Sequence, residues 1–220
     1  MAKLKDIKGT NIQSIDGDPS NPVEGQLWYN STSRVLKGVT AVSSSGSWST
    51  GGNMSTARYQ LGGAGTQTAA LGFGGSPPPA ARSDTEEYDG SSWTSGGALS
   101  TARWGIEGNG TQTAALGAGG QYNPAGGVRS ETEEYDGSSW TAGGALSTAR
   151  KEGATAGTQT ASFYATGQLL AGPTPTATEE YDGSSWTAGG TMGTGRYGPG
   201  GTGTQTAGLA FGGANNSPYS

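Results

Sequence analysis

The chain has 220 residues, of which 43 are glycine and only 31% are hydrophobic. It cannot fill a thick Leu/Ile core, but it can fill thin seams between closely stacked sheets. It has no histidine and no cysteine, which excludes a Ser-His-Asp triad, a thiolate nucleophile, disulfides and thiolate-held metal. Its net charge is −5 with no basic run, so no nucleic-acid partner is expected, and its apolar stretches are too short for membrane insertion.

Residues 1–33 differ in character from the rest. Lys3, Lys5, Lys8 and Lys37 crowd the start of the chain, with no apolar segment behind them, so the start does not read as a secretory signal. Residues 16–22, DGDPSNP, are rich in turn formers. GQLWYN at 25–30 and RVLKGV at 34–39 then predict the two strands of a hairpin.

One phrase dominates the remainder of the chain. It reads TEEYDGSSWTSGGALSTAR at 85–103, TEEYDGSSWTAGGALSTAR at 132–150 and TEEYDGSSWTAGGTMGTGR at 178–196. A degraded copy at 40–58 keeps the Trp, the Gly-Gly and the Arg but loses the acidic front. Trp48, Trp93, Trp140 and Trp186 are spaced by 45, 47 and 46 residues. Arg58, Arg103, Arg150 and Arg196 keep the same steps, as do four copies of Gly-Thr-Gln-Thr-Ala. Markers that share one rhythm define one structural unit per period.

The unit that begins at Arg103 predicts four short strands, at 104–110, 111–120, 130–137 and 138–144. Asp136-Gly137 marks a tight turn between the last two. Four strands in about 46 residues is the pattern of a propeller blade. No helical periodicity is present.

The order Gly-Gly, Tyr, Trp, Arg resembles the kelch repeat over residues 34–213, with Tyr88, Tyr135 and Tyr181 as the tyrosine landmarks. The Tyr-to-Trp spacing of five residues, 88 to 93, is shorter than is usual in that family. The resemblance implies an all-β, kelch-like β-propeller of about four four-stranded blades. Separately, DPSNPVEGQLWYNSTSRVLKG at 18–38 resembles hairpin segments near the start of bacteriophage tail-fibre and other virion proteins.

The ends suggest how the array is completed. After Arg196 only the first two strands of a unit remain, and 34–57 holds third- and fourth-strand equivalents. The reading is an attachment segment at 1–33, units at 58–102, 103–149 and 150–195, a composite blade from 196–213 plus 34–57, and a tail at 214–220. The alternative is a repeat array completed by other chains in an oligomeric fibre.

The polar clusters read as structural. Glu86-Glu87, Glu133-Glu134 and Glu179-Glu180 sit on strands, where neighbours point to opposite faces and cannot converge on one sugar. One Glu of each pair is expected to meet a recurrent Arg, at Arg103, Arg150 or Arg196. A calcium site built from Glu and Asp oxygens is the minor alternative. Gly-Thr-Gln-Thr lacks the Gly-Lys-Ser/Thr of a phosphate loop and reads as a turn. Gln67, Gln112, Gln159 and Gln205 either form an axial amide layer or bond a neighbouring blade's backbone. The recurrent Tyr and Trp residues are expected to fill the seams between blades.

Variable residues are the better binding candidates: Trp104, Tyr122, Tyr164 and Tyr197, with the loops 76–84, 121–131 and 168–177. No cofactor and no metal are expected. The phage resemblance implies a non-enzymatic virion protein on an extracellular particle, a tail fibre or appendage, homo-oligomeric in its assembly. Its N-terminal segment would hold other virion proteins and its loops a host-surface glycan or receptor. The rival readings are a purely architectural tail or capsid decoration protein and a carbohydrate-active enzyme.

Overall fold

The computed structural model describes residues 13–20, 26–38, 48–76, 80–122 and 126–215. The chain divides into two compact regions, Met1–Ser49 and Thr50–Ser220.

In the N-terminal region, β2 (Leu27–Asn30) and β3 (Val35–Gly38) form the expected antiparallel hairpin. β1 (Gln13–Ile15) adds to β2 in parallel, a strand with no clear signal in the sequence. Asp18 ties the hairpin together. Its Oδ1 accepts from Trp28 Nε1 at 3.1 Å and Asn30 Nδ2 at 2.8 Å, and its Oδ2 pairs with Lys37 Nζ at 2.7 Å.

The repeat region is all-β among the described residues. Its first sheet holds β4 (Gly62–Thr66), β5 (Ala69–Phe73), β6 (Thr85–Tyr88) and β7 (Trp93–Ser95). The second holds β8 (Glu107–Thr111), β9 (Ala114–Ala118), β10 (Thr132–Tyr135) and β11 (Trp140–Ala142). The third holds β12 (Ala154–Thr158), β13 (Ala161–Ala165), β14 (Ala177–Tyr181) and β15 (Trp186–Thr191). Each is an antiparallel meander in sequence order. β16 (Gly200–Gly203) and β17 (Gly208–Phe211) form a final two-stranded sheet. The composite blade would draw its third strand from 40–44, outside the described residues. Among the described residues β3 pairs with β2, and 48–57 contains no strand.

The Gly-Thr-Gln-Thr copies are turns, as expected. Thr66 pairs with Ala69, Thr111 with Ala114 and Thr158 with Ala161, leaving two residues in each turn. The Asp-Gly-Ser-Ser turns are fixed by their aspartates. Asp136 Oδ1 accepts from the Ser138 and Ser139 amides, both at 2.8 Å, and Asp89 and Asp182 repeat the arrangement.

Successive sheets stack through their first strands, β4 on β8, β8 on β12 and β12 on β16. Here glycine is a matter of distance. A Cβ on Gly108 would stand 2.8 Å from the Gly63 carbonyl oxygen, and one on Gly201 2.4 Å from that of Thr155. Aromatic rings fill much of the seams between the first, second and third sheets. Phe73 lies under Trp140 with ring centroids 4.6 Å apart, in a cluster with Leu71, Leu99, Ile106 and Tyr135.

Candidate binding face

The recurrent polar residues of the repeat are spent holding sheets together. Arg58 pairs with Glu86 at 2.6 Å, Arg103 with Glu133 at 2.5 Å and Arg150 with Glu179 at 2.6 Å, all with side chains almost fully buried. Burial pushes each guanidinium pKa down, and the facing glutamate opposes that shift. Each carboxylate also accepts a backbone amide, from Ser55, Ser100 or Ser147. The expected Arg–Glu contact is present with one correction. Among the described residues Arg196 meets no carboxylate and faces the Gly212 and Gly213 carbonyls at 3.3 and 3.4 Å, while Arg58 serves the first pair. Arg58, Arg103 and Arg150 each serve the sheet after them, and the described residues after Arg196 carry no acidic side chain.

The second glutamate of each pair faces the next sheet. Tyr135 donates to Glu87 Oε1 at 2.5 Å and Tyr181 to Glu134 Oε1 at 2.6 Å. Trp140 Nε1 donates to Thr85 Oγ1 at 2.9 Å, and Trp186 Nε1 to Thr132 Oγ1 at 2.8 Å. Gln112, Gln159 and Gln205 each donate to two backbone carbonyls of the preceding sheet. They act as inter-sheet staples and not as an axial layer. Tyr88 stacks on Trp93 in the first sheet, with centroids 5.0 Å apart. Trp48 is a correction: its side chain is fully exposed and makes no packing contact among the described residues.

The variable residues gather at the opposite pole from these constant turns. In a four-stranded meander, the Gly-Thr-Gln-Thr and Asp-Gly-Ser-Ser turns share one end. The other end carries the loops between second and third strands and the starts of the first strands. There the residue after each marker Arg is Tyr59, Trp104, Lys151 or Tyr197, and the next is Gln60, Gly105, Glu152 or Gly198. These last four have φ of 53°, 61°, 52° and 63°, a left-handed backbone that favours glycine. They form a ladder: Gly105 N donates to Gln60 O at 2.8 Å, Glu152 N to Gly105 O at 2.9 Å and Gly198 N to Glu152 O at 2.7 Å. Units that carry Gln60 and Glu152 therefore bear strain of about 1–3 kcal/mol per residue that glycine would avoid.

The ladder rims a cavity of about 460 Å³, lined by Leu61, Ile106, Glu107 and Tyr197 as well as Gln60 and Glu152. The Gln60 amide reaches across the cavity to the Glu152 carboxylate. Burial pushes the Glu107 carboxyl well above its ordinary pKa, and the Glu152 charge adds to the shift. Lys151 Nζ sits 3.6 Å over the Trp104 ring and 3.7 Å from Glu152. The site combines an apolar floor, two carboxylates, an amide and half-buried aromatic rings.

Of the candidates named from sequence, Tyr197 lines this cavity and Trp104 stands beside it under Lys151. Tyr122 is exposed on the loop after β9, with the Arg129 guanidinium 5.7 Å from its ring centroid. Tyr164 is a correction. It lies on β13, fully buried, accepting from Gly153 N at 3.2 Å beneath the Arg150 guanidinium. It occupies the second-strand position held by Gly72 and Gly117 in the other sheets, and it packs inside. Gln60, Glu107 and Glu152 do not stand out in the sequence. Their signal is positional: they vary two and four residues after a constant Arg.

Among the described residues, no three acidic, His or Cys side chains converge as metal ligands. No described helix is long and apolar enough to cross a membrane. The sequence matches no protein-family model and no curated protein.

Proposed function

We propose that this chain is a bacteriophage virion protein, a tail fibre or related appendage. On this reading it is a kelch-like propeller whose variable pole binds a host-surface glycan. One observation carries the binding reading: constant residues clamp the sheets, whereas residues that differ between units meet around one cavity lined by the Tyr197 ring and by hydrogen-bonding groups, with Trp104 beside it. That is the lining a saccharide uses, with an apolar ring face against Tyr197 and hydroxyls against carboxylate and amide. The virion assignment is supported by the resemblance of residues 18–38 to phage tail-fibre hairpins.

The test is a glycan array probed with the full chain, beside its Tyr197→Ala and Trp104→Ala variants. Binding that both variants weaken about tenfold or more supports the reading. A silent array, or variants that bind as well as the parent, overturns it. Antibody raised against the chain labels the tail of the parent particle on this reading, and no other part.

A further inference from the structure

The third sheet carries an aromatic slot that no described residue fills. Its two filled counterparts define what belongs there. In the first sheet Phe73, Thr85 and Leu99 wall a slot that Trp140 enters from the second sheet. In the second sheet the aligned residues Ala118, Thr132 and Leu146 receive Trp186. In both, the indole N–H lands on the threonine hydroxyl.

The third sheet repeats the wall with Ala165, Thr178 and Met192, and places Glu180 where Glu87 and Glu134 stand. The opposite wall is also present. Where a Cβ on Gly72 would touch Trp93 at 3.5 Å, and one on Gly117 would touch Trp140 at 3.4 Å, β17 presents Ala210. Between the walls lies an open pocket of about 280 Å³. With no indole present, the Thr178 hydroxyl donates to the Gly190 carbonyl, and β15 runs on to Thr191 across a register shift. β11, which begins with the same Trp-Thr-Ala-Gly-Gly sequence, stops at Ala142.

Trp93 donates instead to the Gly52 carbonyl, and Trp48 has no slot among the described residues. Trp48 lies one repeat step before Trp93, and its indole is fully exposed in the single chain. We propose that the slot between Ala165, Thr178, Met192 and Ala210 receives Trp48 of a second copy of this chain, its Nε1 donating to Thr178 Oγ1. The interface continues the repeat's own sheet-to-sheet contact from one molecule to the next. Reciprocal exchange closes a dimer, and one-way exchange propagates a filament. The inference rests on repeat geometry and is independent of glycan binding.

The test is sedimentation of the full chain over a range of concentrations, beside Trp48→Ala and Thr178→Val. The parent associates with concentration, and each variant raises the dissociation constant about tenfold or more while melting as the parent does. Trp104→Ala, away from the slot, associates like the parent. A parent that stays monomeric throughout, including one whose own Trp48 is shielded from iodide quenching at high dilution, overturns the proposal. So does a Trp48→Ala variant that associates normally.

Discussion

Tyr135 clamps two pieces of the chain with one hydroxyl: it donates to Glu87 Oε1 at 2.5 Å and accepts from the Gly97 amide at 3.3 Å. The first bond holds the preceding sheet and the second holds the connection leaving it. Removing the hydroxyl leaves a carboxylate and an amide without their partner. Tyr135→Phe is expected to lower the unfolding free energy by about 1.5–3 kcal/mol, the range for bonds to charged groups. A urea titration that shows no change in midpoint contradicts this.

Arg150 and Arg196 are equivalent in sequence and opposite in consequence. Arg150 is buried against Glu179, whereas Arg196 meets only carbonyl oxygens at long range. Cutting a buried pair strands the remaining charge, at a cost of about 3–5 kcal/mol. Arg150→Ala is therefore expected to melt far below the parent, and Arg196→Ala close to it. Equal melting of the two variants would refute the assignment of roles.

Repetition makes most of this frame readable. The steps of 45, 47 and 46 residues announce the unit, and Asp-Gly and Gly-Thr-Gln-Thr announce its turns. What a pattern cannot supply is the identity of a partner across a seam. Trp-Thr-Ala-Gly-Gly at 140–144 leaves its strand after Ala142, because the Tyr181 hydroxyl accepts from Gly144 N. The same five residues at 186–190 stay in β15, where no described tyrosine hydroxyl meets Gly190 and its carbonyl accepts from Thr178. Tyr164 has the sequence setting of a loop aromatic, and only its neighbours in space show that it replaces a glycine inside the sheet. Gln60 and Glu152 gain meaning only where the backbone brings alternate units together across the cavity.

Glu107 is a carboxyl that its surroundings prefer neutral. Burial raises its pKa first, and the Glu152 charge raises it further. Its folded-state preference is complete below the unfolded carboxyl pKa and is lost as pH rises, so at neutral pH its ionisation destabilises the array. Glu107→Gln is expected to raise the melting temperature at pH 7, with a gain that shrinks toward pH 4. A variant that melts lower than the parent at neutral pH would show that the ionised form is the favoured one.

Stability is expected to fall away at both extremes of pH, for two different reasons. Asp136 and Asp182 are held at about 2, first by the Ser139 and Ser185 amides and then by the neighbouring serines. Their contribution is present above the unfolded carboxyl pKa of about 3.9 and is lost as pH falls toward 2. Tyr135 and Tyr181 are pushed up to about 12, first by burial and then by the bonds to Glu87 and Glu134. Their contribution is complete below the unfolded phenol pKa of about 10 and is lost between there and 12. Melting followed by circular dichroism from pH 2 to 12 separates the two. Asp136→Asn with Asp182→Asn shrinks the acid limb, part of which Asp89 and Asp18 keep, and Tyr135→Phe with Tyr181→Phe shrinks the alkaline limb, part of which the buried Tyr164 keeps. An alkaline limb of unchanged size in the double phenylalanine variant would place the titrating groups elsewhere.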